Sequence, residues 1–509
     1  MEERLNKGSL RCGGDDNLAM NITDLTISKA HALLKDKKLS VKELTEASLA
    51  RIKTVDEKVH AFLKVTEKKA LEQAQAAQIR FDTGTDVNPL LGIPMSHKDI
   101  YCTKGVETTA GSNILKEYIP PYSATVVKKL EAVGAVMVGK TNLDAFAHGA
   151  STENSDFGPS KNPFDTSLVP GGSSGGSAVS VASSEVLFST GTDTGGSIRL
   201  PASFTNTVGL KPTYGRVSRY GIIAMASSTD SPGPITKTVE DCALVLSAMA
   251  GHDKKDATSS GRLVPDYKTF LGKNIAGFKI GVPKQFFVEG LSKDVEGPVR
   301  DAIKKFEELG AKVEEVDLSY MDYALAIYYI IIPSEVSSNL SRYDGIKYGF
   351  SVERDAKFKV TDLLSVYGKS RDIGFGQEAK RRIILGTYAL SSGYYDAYYK
   401  KAQKVSQLIK NDFTKVFEKY DLLLGPVSPT LPFKLGEKSG DPMQMYLADV
   451  YTTSMSLAGI PAISVPAGFT RGLPVGLQII ASHFEEGRLL QAAYAFEQAT
   501  GFFETKPKL

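Results

Sequence analysis

The chain has 509 residues, 42% hydrophobic and 23% charged, with 46 glycines and a formal net charge of +3, the profile of a large globular protein able to bury an ample core. So small a net charge gives no strong drive toward nucleic acid, whose phosphates need clustered Lys and Arg. The cysteines, Cys12, Cys102 and Cys242, form no CxxC spacing; this speaks against a disulfide framework or a zinc site and points to a reducing, cytoplasmic setting.

The first 19 residues, with Gly13-Gly14-Asp15-Asp16 and no apolar core, do not read as a signal peptide and are expected to be a disordered leader before Met20. Ser40-Val41-Lys42-Glu43 is a capping box opening a helix to about Val55, and the Ala-rich Lys68 to Ile79 predicts a second. Leu90 to Ile100, bounded by Gly and Pro, predicts a short buried strand on which Lys98 shares a face with Ser96 and Ile100 while Asp99 points the other way. Glu185 to Ser189 reads as another buried strand, entering a loop from Thr190 to Gly196, and Ser197 to Leu200 begins a helix or a tight turn.

Thr238 caps a helix from Val239 to Ala250, closed by Gly251. A strand over Phe278–Val282, a helix over Val295–Leu309 and a strand over Lys312–Val316 follow. Later strands fall at Asp421–Leu424, Ala462–Val465 and Val475–Ala481, and Glu486–Thr500 forms a closing helix. No run reaches the roughly 20 apolar residues that span a bilayer; stretches such as Ala324 to Pro333 are the longest candidates. The alternation of strand and helix predicts an α/β sheet covered on both faces. Length alone would allow about three domains, but no Pro-rich or low-complexity linker interrupts the middle, which reads as one large domain.

The residues that carry chemistry lie in two Gly/Ser strings, Gly171-Gly172-Ser173-Ser174-Gly175-Gly176-Ser177 and Gly191-Thr192-Asp193-Thr194-Gly195-Gly196-Ser197-Ile198-Arg199, downstream of Lys98. A serine hydroxyl needs a base, usually a histidine held by a carboxylate, yet none of the six histidines stands in a triad motif. A lysine serves only as a free amine, which burial provides by lowering its pKa. Lys98 is therefore the candidate base and Ser197 the nucleophile, with the backbone N–H groups of Thr194, Gly195 and Gly196, up to Ser197, as oxyanion donors. Ser173 can relay the proton between them, since one hydroxyl donates and accepts at once; direct contact of Lys98 with Ser197 is the simpler alternative. The Gly/Ser run taken alone would be a flexible linker, and no Gly-Lys-Ser/Thr follows that would make it a phosphate loop.

Gly92-Ile93-Pro94 with Lys98-Asp99, the Gly171–Ser177 run, and Gly191–Arg199 followed by Pro201-Ala202 resemble the amidase signature family. The resemblance implies a Ser-cisSer-Lys unit of Ser197, Ser173 and Lys98. It also implies a mixed sheet of about a dozen strands sandwiched between helical layers. On that reading residues 20–85 are N-terminal helices, 86–260 the catalytic core, and 261–509 a pocket and sheet-completing region.

Val208–Gly221, Ser337–Gly345, Ala389–Tyr399 and Met445–Asp449 further resemble the subgroup that supplies the glutaminase component of tRNA-dependent amidotransferases. That implies L-glutamine as substrate, its α-carboxylate on Arg382, its α-ammonium on Asp449 and Tyr328 as a wall or donor, with Arg381 and Tyr329 as the alternatives one residue away. It implies a B subunit holding ATP, Mg2+ and mischarged Glu-tRNA(Gln) or Asp-tRNA(Asn), and a small C subunit. No cofactor is expected in this chain itself. Thr229-Asp230-Ser231-Pro232 departs from the Leu-Asp-Gln pattern of that resemblance but keeps Asp230 and Gly233-Pro234.

Overall fold

The computed structural model describes residues 9–10, 20–84 and 88–509. Of the expected leader only Ser9–Leu10 falls among them; as β1 it pairs antiparallel with β2, Met20–Asn21, and the rest of that expectation lies outside the described residues.

Eleven further strands form one mixed sheet: β3 (Phe62–Val65), β4 (Pro94–Lys98), β5 (Val136–Thr141), β6 (Phe188–Asp193), β7 (Val208–Lys211), β8 (Ser231–Thr236), β9 (Lys279–Pro283), β10 (Lys312–Val316), β11 (Leu422–Pro426), β12 (Ala462–Thr470) and β13 (Leu473–Ala481). Their order across the sheet is β10-β9-β11-β13-β12-β7-β8-β6-β4-β5-β3, so the three stretches distinguished along the sequence all contribute strands to one sheet. Strands β4 to β8 and β11 are buried at every residue, as a sheet covered on both faces requires.

The helices follow their caps. Ser40 Oγ accepts from Glu43 N–H at 3.1 Å and Glu43 Oε2 accepts from Ser40 N–H at 2.9 Å, which starts the helix Val41–Val59. It runs one turn beyond the expected Val55 because Val55 and Val59 continue the buried face, and it ends where His60 turns left-handed at φ 50°. Thr238 caps Val239–Met249, and β10 and Glu486–Thr500 fall where their periodicity places them.

One strand sits differently. The strand expected at Glu185–Ser189 is observed at Phe188–Asp193. Thr190, Gly191, Thr192 and Asp193 read as loop residues, yet each polar side chain is satisfied inside the sheet: Thr190 Oγ1 stands 2.9 Å from His97 Nδ1, Thr192 Oγ1 accepts from Lys98, and Asp193 binds Arg199. Burial of polar residues on a strand costs little when every one has a partner.

The tyrosine-rich end of the Ala389–Tyr399 stretch lies partly open to solvent. Tyr394 and Tyr398 are about half-exposed, and their rings lean on each other and on Tyr388. Among the described residues no helix is long and apolar enough to cross a membrane.

Candidate active site

Strands β4 and β6 are parallel neighbours, with Ser96 opposite Ser189 and His97 opposite Thr190. Lys98 ends β4, and it is 0% exposed. Its Nζ lies 2.7 Å from Ser173 Oγ, 2.9 Å from Ser174 Oγ and 2.9 Å from Thr192 Oγ1. No carboxylate forms an ion pair with it among the described residues. Asp99 turns to the opposite face as the alternation predicts, where it accepts from Lys140 Nζ at 2.8 Å. Burial lowers the Lys98 amine to about 7, against the opposing pull of Asp144, Asp230 and Asp193. An amine so placed is free in a substantial fraction of molecules near neutral pH and can then take a proton from a hydroxyl.

Ser173 follows a cis Gly172–Ser173 peptide and, with Ser174, immediately precedes the helix Gly175–Ala182. Glycines are required here by contact: a Cβ on Gly172 would overlap the Asp144 carboxylate and one on Gly175 would overlap the Thr152 hydroxyl. Ser174 N–H donates to Ser197 C=O at 3.1 Å, so the two serine loops are tied to each other.

The loop after β6 is organised by Asp193. Its carboxylate accepts from Gly196 N–H at 2.9 Å, from Arg199 Nε at 2.9 Å and from Arg199 Nη2 at 2.8 Å. Arg199, fully buried, also donates to Gln478 Oε1 at 2.6 Å and Thr452 C=O at 3.0 Å, pinning the loop to β13 and to the 452 turn. The Asp193–Gly196 bond corrects one expectation. Gly196 N–H is already donated and is no free oxyanion donor, whereas the N–H groups of Thr194, Gly195 and Ser197 carry no partner among the described residues. Gly196 instead supplies its backbone shape, with φ 142° and no room for a Cβ against Thr452.

Ser197 is 7% exposed, and its hydroxyl makes no hydrogen bond among the described residues. The structure thus brings Lys98 onto Ser173 and ties the Ser197 backbone beside them, while neither the Ser173–Ser197 nor the Lys98–Ser197 hydroxyl contact is made. Catalytic hydrogen bonds commonly tighten only with substrate in place.

The structure places the two residues of each alternative pair differently. On the helix Gln377–Leu390, Arg382 turns inward at 2% exposure while the Arg381 side chain is 41% exposed. Arg382 Nε donates to Glu378 Oε1 at 2.8 Å, and the guanidinium lies 5.3 Å from the Tyr329 ring centroid and 5.5 Å from that of Tyr446. These two rings stack at 3.9 Å, and Tyr329 OH donates to Asp449 Oδ2 at 3.1 Å. Tyr328 faces the nucleophile loop, where a Cβ on Gly195 would come within 2.5 Å of its hydroxyl. A cavity lined by Gly149, Asn154, Tyr329, Glu378, Arg382 and Tyr446 opens beside the guanidinium. Burial raises the Asp449 carboxyl to about 7, with Arg382 and the Tyr329 hydrogen bond opposing.

Asp230, kept where the sequence departs from the pattern around it, accepts from Thr194 Oγ1 at 2.7 Å and from Met225 N–H at 2.9 Å, which holds the loop in place. Sequence reasoning missed Ser174 and Thr192 as ligands of the amine, and Glu378 and Tyr329 as the frame of Arg382. The first two sit inside strings already singled out; Tyr329 enters there only as the alternative to Tyr328, and Glu378 stands four residues before Arg382 on one helix, an i,i+4 pairing the sequence offers.

A family model described as Amidase matches residues 43–490. This chain belongs to the amidase family. Among its relatives, the glutamyl-tRNA(Gln) amidotransferase A subunit from Heliobacterium modesticaldum is 53% identical over 490 residues, covering 96% of this chain and 100% of the relative. The protein of the same name from Moorella thermoacetica is 54% identical, covering 96% and 99%. The crystal structure of the like-named Thermotoga maritima protein superposes with a TM-score of 0.78 at 40% identity, over 94% of this chain and 95% of that one. A bacterial aryl acylamidase of the family shares the fold at 27% identity and a TM-score of 0.82, covering 94% of this amidase and 98% of its own chain. Among the described residues no group of three or more His, Cys, Asp or Glu is disposed to hold a metal ion.

Proposed function

We propose that this amidase is the glutamine-hydrolysing component of a tRNA-dependent amidotransferase. The observation that carries the reading is a fully buried lysine whose amine rests on the Ser173 hydroxyl at 2.7 Å, beside a nucleophile loop with unpaired N–H groups and a clamp of opposite charges.

Glutamine sits with its α-carboxylate on Arg382 and its α-ammonium on Asp449, and Tyr328 walls the side chain toward Gly195. A guanidinium and a carboxylate select the two charged ends of a free amino acid, which a neutral amide lacks. Ser197 Oγ attacks the side-chain amide carbon; its proton passes to Ser173, whose own proton passes to Lys98. The oxyanion is received by the N–H groups of Thr194, Gly195 and Ser197. Collapse breaks the C–N bond, the leaving nitrogen takes the proton back through Ser173, and ammonia departs. Water, deprotonated along the same path, then cleaves the ester and releases glutamate.

The ammonia is consumed on a B subunit, where ATP with Mg2+ activates Glu-tRNA(Gln) or Asp-tRNA(Asn), a small C subunit bracing the pair. The names of the relatives support that assignment, and a tRNA acceptor implies a cytoplasmic setting. The test is a glutaminase assay with and without co-purified partners. Partner-dependent hydrolysis that Ser197→Ala abolishes and Arg382→Ala weakens supports the reading. Partner-independent turnover of simple amides, indifferent to Arg382, would show a free-standing amidase instead, and failure to trap any acyl adduct on Ser197 would leave only a scaffold.

A further inference from the structure

A base that is neutral at rest and cationic one proton transfer later depends on the carboxylates that face it, because an opposite charge favours the cation. Three carboxylates act on Lys98. Asp193 is neutralised by Arg199 at 2.8 Å. Asp230 lies on the oxyanion side, accepting from the Thr194 hydroxyl at 2.7 Å and from the Ala226 N–H at 3.1 Å. Asp144 is 0% exposed and accepts only from backbone, Thr152 N–H at 2.9 Å and Asn154 N–H at 3.0 Å, with no ion-pair partner among the described residues.

Its place is specific. The Asp144 carboxylate packs so closely on Gly172 that a Cβ there would overlap Oδ2, and Gly172 directly precedes the serine that holds the Lys98 amine. The other charges on the surrounding elements are occupied elsewhere or lie on the same loop as Asp144. Lys140 of β5 pairs with Asp99 at 2.8 Å on the far face of β4. Lys211 of β7 donates to Ile460 C=O at 2.8 Å. His148 and Glu153 follow Asp144 on the same loop, and the helix Gly175–Ala182 carries no charge.

We propose that Asp144 is a positioning residue of the reaction: seated against Gly172, it supports the loop that presents Ser173 and is the counter-charge for the Lys98 ammonium that forms when the Ser197 proton arrives. The inference rests on the proposed Ser197–Ser173–Lys98 relay. Burial raises the Asp144 carboxyl itself only to about 6, against the N–H groups of Asn154 and Thr152, so it is ionised where Lys98 is neutral.

The test is the pH dependence of kcat and kcat/KM for glutamine in the assembled complex, wild type against Asp144→Asn. The wild-type acid limb is expected near pH 7, where the amine deprotonates. In Asp144→Asn that limb moves to lower pH by about one unit, kcat on the alkaline plateau falls about tenfold or more, and KM stays unchanged. A fall in kcat with the midpoint unmoved, or a loss confined to KM, overturns the proposal, since that is what a merely structural carboxylate would give. Should Asp144→Asn fail to fold, Asp144→Ser reads the same shift, its smaller side chain leaving room for water on the Thr152 and Asn154 N–H groups. A wild-type profile without an acid limb, or one retained in Lys98→Ala, would instead overturn the relay beneath it.

Discussion

The two halves of the site are built on opposite plans. The serine–lysine half stands where parallel strands β4 and β6 end, and Lys98, Ser173, Ser174, Asp193 and Arg199 are all 0% exposed. The clamp half hangs on helices: Arg382 faces inward from a helix whose outer face leaves Ile384 68% exposed, and Asp449 sits in a short turn far along the chain. The chemical half is fixed by the sheet and by glycines that admit no side chain, whereas the recognition half is held by one carboxylate, Glu378, and two stacked tyrosines. On the proposed roles the reactive groups sit on the rigid sheet and recognition falls to the helices, the two halves joined where Arg199 holds the Thr452 carbonyl.

Substitutions in the sheet half should therefore abolish turnover, and those in the helical half should raise KM. Ser197→Ala removes the nucleophile and is expected to lower kcat by about 10⁴-fold or more, with glutamine binding retained when measured by calorimetry. Lys98→Ala is expected to cost about 10²–10⁴-fold in kcat and to remove the rise of activity with pH. That rise has a definite sign: below about 7 the amine is protonated and cannot accept, so kcat grows as pH increases through that value and then levels.

Arg382→Ala removes charge-assisted hydrogen bonds worth about 1.5–3 kcal/mol and should raise KM by roughly ten- to a hundredfold with kcat little changed. Asp449 titrates in the same window but in the other parameter. With its carboxyl raised to about 7 in the empty site, KM for glutamine should climb as pH falls below that value, and Asp449→Asn should flatten the climb. Tyr329→Phe, which deletes the single 3.1 Å bond to Asp449, should raise KM by only about two- to tenfold, matching about 0.5–1.5 kcal/mol. A kcat effect from the clamp variants, or a pure KM effect from Lys98→Ala, would break the division between the halves.

The same division explains what could be read from the sequence. The chemical half is encoded in short strings, which single out Lys98, Ser173 and Ser197 as candidates, of which the structure brings Lys98 and Ser173 into contact, and strong periodicity placed β10 and the helix Glu486–Thr500. The slip at β6 arose because Thr190, Gly191, Thr192 and Asp193 look like a loop until their partners on β4 and Arg199 are known. Gly196 was misassigned as a donor because only the folded loop shows its N–H bound to Asp193. In the clamp, Arg382 and Tyr328 came from resemblance alone. Of the contacts that frame them, Tyr329 to Asp449 across 120 positions and Glu378 to Tyr446 across 68 leave no local pattern to read, whereas Glu378 to Arg382 is an i,i+4 pair on one helix.

The most direct measurement is the single-turnover rate of acylation of Ser197 by glutamine as a function of pH, in the assembled complex, for the wild type and Lys98→Ala. A wild-type rate that is half-maximal near pH 7 and a slow, flat profile in the variant is the expected result. A wild-type midpoint near the ordinary lysine value, or an unaltered profile in Lys98→Ala, would contradict a neutral buried amine as the base.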